Sequence, residues 1–211
     1  MRQDQYDNPL STSSDAARDH YVAGLDLLLA GQPGITDAFR SALNADPAFV
    51  LAQVALARGH QFKGDMAAAS AAMAAAKALP GPATHREASH LNALGLLVDG
   101  KTQQAYAAIR THVGEFPRDA LVAQTCSSVF GLIGFSGKPG REAEILAYTA
   151  ALLPHYGEDW WCLSQYAFAL CETGNLDAAS DYIDRSLALN PLNANAAHVR
   201  SHVHNEAGET E

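Results

Sequence analysis

Four landmarks recur at identical offsets in two parts of this chain: Gly100, Ala105, Ile109 and Pro117, then Gly174, Ala179, Ile183 and Pro191. The match needs no insertion, and it constrains the fold more than any other feature. Glycine gives the free backbone conformation of a tight turn between helices. The alanine is small enough to let two helices approach closely, and the proline cannot extend the second helix. The fullest copy runs from Asp159 to Pro191. It predicts an aromatic-rich helix over about 160–172, a break at Thr173-Gly174-Asn175, and a second helix over about 176–189.

Other stretches repeat the plan. Asp15 to Leu29 predicts a first helix, with a hydroxyl of Ser11-Thr-Ser-Ser14 as its cap; Gly31-Gln-Pro-Gly34 follows as a turn, then a helix over about 35–45 with Phe39, Ala42 and Pro47 at the landmark positions. The next pair spans Val50 to Phe62 and Met66 to Leu79, with Ala69 at the close approach and Pro80 and Pro82 as stops. Thr84-His-Arg-Glu87 reads as a capping box, hydroxyl and carboxylate both satisfying exposed helix amides. A fourth copy, from about Ala120 to Pro154, is less regular: glycines Gly131 and Gly134 fall in its expected first helix, where each costs about 1 kcal/mol relative to alanine. A final helix is expected over 193–207.

The expected organisation is an extended segment at 1–14, then repeats at about 15–47, 48–82, 84–117, 119–154 and 159–191, and the last helix, within one array over 15–211. Helix, glycine, alanine and proline in this order resemble a tetratricopeptide repeat, whose period is about 34 residues. The fold class expected is all-α, a right-handed α-solenoid of about five such hairpins plus a C-terminal capping helix. Either the array is complete and capped by that helix, or it is the N-terminal part of a longer solenoid.

Composition narrows the function classes. With 48% hydrophobic and 18% charged residues among 211, the chain is globular. Its 14 basic and 23 acidic residues give a formal charge of -9, which offers nucleic acid or an anionic membrane no broad attraction. No apolar run approaches the roughly 20 residues of a membrane span, and 1–15 lacks the apolar core of a signal peptide. A cytoplasmic protein is expected. Cys126, Cys162 and Cys171 lie at no finger spacing and read as reduced core thiols.

More specific segments carry a family resemblance. Asn8-Pro-Leu-Ser-Thr-Ser-Ser14, Gly134-Phe-Ser-Gly137 with Arg141-Glu-Ala-Glu144, Tyr156-Gly-Glu-Asp-Trp-Trp161, and Asn190-Pro191 followed by Ala197-His-Val-Arg-Ser-His-Val203 resemble the tetratricopeptide repeat protein 38 family. The likeness covers nearly the whole chain and corresponds to the N-terminal half of that family. It implies an α-solenoid without an assigned catalytic set.

In helix pairs of this kind the first helix lines a concave groove. By that register the groove residues are Arg58, Gln61, His90, Ser127, Gly131, Trp161, Phe168, Glu172, His198 and His202. Small Ser127, Gly131 and Gly134 leave either a hollow walled by Trp161 and Phe168 or a space that bulky neighbours fill. Trp160 is expected to lean on the neighbouring repeat. His198 and His202 share a helix face and are weak metal candidates needing a third ligand from His90, Glu172 or another chain. Glu158-Asp159 reads as a helix cap. No nucleophile elbow, zinc-protease or phosphate-loop motif occurs.

The leading expectation is a non-enzymatic scaffold without a cofactor, binding a peptide or protein partner in the groove. The competing one is a small-molecule or metal site, catalytic or not, built from His90, Trp161, Phe168, His198 and His202. A homodimer through the C-terminal end is a third. Nucleic acid and membrane are not expected partners.

Overall fold

The computed structural model describes residues 1–81 and 84–208; Pro82, expected as a stop, lies outside them. The chain is all-α, built from antiparallel helix pairs as its repeats require. In order the helices are α1 (Asp15–Ala30), α2 (Ile35–Ala45), α3 (Val50–Phe62), α4 (Met66–Ala78), α5 (His85–Val98), α6 (Thr102–Glu115), the single turn α7 (Ala120–Ala123), α8 (Arg141–Tyr156), α9 (Trp160–Glu172), α10 (Leu176–Leu189) and α11 (Ala194–Glu206). Among the described residues, strand is confined to β1 (Arg2–Gln3) and β2 (Pro9–Leu10), an antiparallel pair with Arg2 opposite Leu10. No described helix is long and apolar enough to cross a membrane.

Local chemistry sets the helix ends. Ser14 Oγ accepts from the Ala17 amide at 3.1 Å, and Asp65, Asp159 and Asn193 cap α4, α9 and α11 in the same way. Gly100 and Gly174 have φ of 72° and 78°, the left-handed conformation that closes each hairpin. Ala69, Ala105 and Ala179 are fully buried where the paired helices cross, as is Ile109 or Ile183 one turn on. Thr84 Oγ1 accepts from the Glu87 amide, but the other half of the expected capping box does not form: the Glu87 carboxylate faces the N-terminal segment instead.

The fourth pair departs from expectation. Where its first helix was expected, α7 stops after one turn, and Gln124–Cys126 and Gly134–Ser136 form only single 3-10 turns. The run Thr125-Cys-Ser-Ser128 favours side-chain bonds to the local backbone, and Ser127 Oγ donates to the Gln124 carbonyl at 3.2 Å. The chain then folds back, with the Leu132 amide donating to the Thr125 carbonyl at 2.8 Å. A Cβ at Gly131 would lie 2.6 Å from the Thr125 oxygen, and one at Gly134 only 2.0 Å from the Val129 oxygen. These glycines therefore permit a compact loop and are not helix residues.

The chain divides into two compact units. One comprises Met1–Leu28 and Pro33–Ala123, the other Leu29–Gln32 and the chain from Gln124 onward. The first has a core of Tyr21, Phe39 and Phe49, with ring centroids 5.9 and 5.2 Å from Tyr21, together with Leu51, Met73 and Leu94. The second is centred on α9, whose Trp161, Leu163, Phe168 and Leu170 are buried along with Ile183, Val199 and Val203.

Candidate functional site

Polar chemistry in the first unit converges on Asp119, the residue before α7. Arg86 and His90 stand one turn apart on α5, so both reach the same side; His112 comes from the last turn of α6. Arg86 Nη1 donates to Asp119 Oδ2 at 2.5 Å, His90 Nδ1 lies 2.9 Å from that oxygen, and His112 Nε2 lies 3.2 Å from it. Arg86, His90, His112 and Asp119 are 6%, 0%, 0% and 3% exposed, so these charges have no access to bulk water.

Burial opposes ionisation of Asp119, but His90, His112 and the Arg86 guanidinium outweigh it and hold the carboxyl well below its usual range. Burial also pushes His90 down, favouring neutral imidazole despite the carboxylate beside it. Arg86 stays charged, because Asp119 offsets its desolvation.

The same residues fasten the N-terminal segment. Arg86 Nη2 donates to the Pro9 carbonyl at 2.7 Å. Glu87 accepts from the Ser11 amide at 2.8 Å and from the Ser11 hydroxyl. Asn8 Nδ2 donates to the Arg118 carbonyl at 2.9 Å, and Thr12 Oγ1 to Asp46 at 2.5 Å. The segment is preshaped for this: Asp4 Oδ1 accepts from the amides of Tyr6 and Asn8, both at 2.9 Å.

Of this network, sequence reasoning had singled out only His90. The spacing of Arg86 and His90 was visible; their convergence with His112 and Asp119 was not, because it depends on how α5, α6 and the turn before α7 assemble.

The expected groove residues are dispersed. Arg58, Gln61 and His90 belong to the first unit, and the other seven to the second. Arg58 is buried, donates to the Gln61 carbonyl oxygen and lies 5.4 Å from the Phe62 ring centroid; burial lowers its pKa to about 10. Ser127 is fully buried and donates to Gln165 Oε1 at 2.8 Å. Gly131 is pressed against backbone. Trp161, expected in an open groove, is 1% exposed and edge-on to Tyr156, with ring centroids 5.2 Å apart, while Trp160 is half-buried. The α9 helix is covered on nearly every side by its neighbours, so periodicity marked its inward face without showing that the face is enclosed. Phe168 lies in the core with its ring centroid 6.0 Å from that of His202.

Glu172 and His198 are exposed, and Gln61 and His202 half-buried, which leaves these four accessible. The His198 and His202 Nε2 atoms are 3.1 Å apart, so one ring donates to the other. That bond uses a lone pair which a metal would need. Among the described residues, the cluster of three metal-ligating side chains is instead His90, His112 and Asp119. Cys126, Cys162 and Cys171 are buried thiols outside any disulfide, and burial raises the Cys162 and Cys171 thiol pKa values.

The fold-back loop supplies two groups that the sequence reading missed. Phe130 and Phe135 are 68% and 74% exposed, their ring centroids 6.3 Å apart in an edge-to-face arrangement. Nearby Val129 packs on the core formed by Phe168, Ile183 and Val203.

No family model matches the chain, and no curated protein matches it. Among solved structures it is similar to YrrB, described as a TPR protein with an unusual peptide-binding site, at 13% identity over 88% of this chain and 92% of that one, with a TM-score of 0.46.

Proposed function

We propose that this chain is a non-enzymatic helical-repeat scaffold, of the kind found in the tetratricopeptide repeat protein 38 family, that binds a peptide or protein segment through an apolar anchor. The observation that carries this reading is the exposed Phe130 and Phe135 pair, held on a compact loop that Gly131 and Gly134 permit. Exposed aromatic side chains offer large contact area at low entropic cost and dominate many binding surfaces. Glu172, His198 and His202 provide accessible polar groups in the same unit. The enclosed Trp161 and Ser127 of that unit support its fold and do not touch the partner.

The test is a displayed peptide library selected on the purified chain, with selected peptides then titrated against wild type and F130A/F135A. The reading expects apolar-anchored peptides whose affinity falls at least about tenfold in the variant, since an interface hot spot is worth about 2 kcal/mol or more. Unchanged affinity, or no enrichment over an unselected library, would overturn it.

A further inference from the structure

Three side-chain nitrogens converge on the single oxygen Asp119 Oδ2. Arg86 Nη1 and His90 Nδ1 already occupy it at 2.5 and 2.9 Å. His112 Nε2 stands 3.2 Å away, yet it is enclosed and makes no well-directed hydrogen bond; His90 Nε2 is enclosed and unpartnered as well. The other nitrogen of His112, Nδ1, is 2.9 Å from Ser89 Oγ. When that nitrogen donates to the hydroxyl, Nε2 turns its lone pair toward an ionised carboxylate oxygen. Two lone pairs then face each other in a buried site, a repulsion that a cation between them relieves.

The donor set fits such a cation. The ligating atoms of His90, His112 and Asp119 all lie within 4.8 Å of one another. Ligands around tetrahedral zinc, with bonds of about 2.0–2.1 Å, stand about 3.3–3.4 Å apart. Two imidazoles and one carboxylate select a zinc-class ion over magnesium or calcium, which prefer oxygen ligands.

We propose that His90, His112 and Asp119 are three ligands of a zinc-class divalent cation, with Ser89 fixing the His112 ring and Arg86 holding the same Asp119 oxygen in place. Outer partners of this kind orient metal ligands. The ion ties α5, α6 and the turn before α7 together, and through Arg86 and Pro9 it secures the N-terminal segment.

The test starts from the H198A/H202A chain, which lacks the exposed histidine pair. It is stripped with chelator and titrated with zinc by calorimetry and with cobalt by visible absorption. The proposal expects one ion per chain, a zinc-dependent rise in Tm, and intense cobalt absorption typical of four-coordinate sites. Adding H112A weakens binding about 100-fold or more, and adding S89A about tenfold. Should circular dichroism show H112A unfolded, S89A decides the matter. Absence of one-to-one binding in the H198A/H202A chain, or affinity unchanged by S89A in a folded chain, overturns the proposal.

Discussion

The α5/α6 and α9/α10 hairpins share a register but fill it with opposite chemistry. Counted from Gly100 and Gly174, Arg86, Glu87, His90, His112 and Asp119 occupy the positions of Trp160, Trp161, Ser164, Ser186 and Asn193. In the second hairpin the two serine hydroxyls are settled within the hairpin: Ser164 Oγ donates to the Trp161 carbonyl at 2.7 Å and Ser186 Oγ to the Trp160 carbonyl at 2.6 Å. Large apolar surface does the rest. The first hairpin buries charges, and buried charges demand partners. Those partners include Pro9 and Ser11, far away in sequence. One backbone plan therefore accepts two kinds of interior, and the ionic kind recruits an additional piece of chain.

The sharpest way to break this comparison is at the paired turn positions. Asp119→Ala strands Arg86 in a buried site and should cost about 3–5 kcal/mol. Asn193→Ala, at the matching position, removes a helix cap and should cost about 1 kcal/mol. Urea unfolding measures both; equal losses would mean that Asp119 is only a cap. Amide exchange adds a second readout, since D119A should also deprotect the amides of Asn8, Leu10 and Ser11. Trp161→Ala, in the apolar hairpin, should cost about 3–5 kcal/mol through cavity formation. A loss below about 1 kcal/mol would show that this interior is not tightly filled.

Smaller effects refine the picture of the loop. Gly134→Ala forces a methyl group against the Val129 carbonyl and should destabilise the chain by about 1–3 kcal/mol. Were the segment helical after all, the same change would stabilise it by about 1 kcal/mol, so the sign in thermal unfolding separates the two. F130A and F135A should each leave stability within about 0.5 kcal/mol, because neither ring is enclosed. A larger loss would make these rings part of the core and remove them as binding groups.

The hairpins were legible because a close helix crossing leaves a small residue at one place, and Ala69, Ala105 and Ala179 report it directly. Caps were legible where their chemistry is local, as at Asp159 and Asn193. Glu87 shows the limit. Its spacing from Thr84 satisfies a local rule, but its partner is Ser11, and nothing in three or four neighbouring residues reveals that. The fourth pair shows another limit: its apolar pattern was compatible with a helix, while Gly131 and Gly134 answered a steric demand from backbone that only the folded loop brings near. Trp161 and His90 were expected to line a groove and are buried instead. Whether an inward face is an open groove or a sealed interior depends on neighbouring helices, and periodicity carries no information about those.

The fastening of residues 8–12 has a consequence during synthesis. Asn8 bonds to the carbonyl of Arg118, a separation of 110 residues. At about 5–20 residues per second, the ribosome needs about 5–20 s to make that stretch. Throughout that interval residues 8–12 wait without their full set of partners, and the first unit closes only once the chain around Arg118 has emerged to receive them.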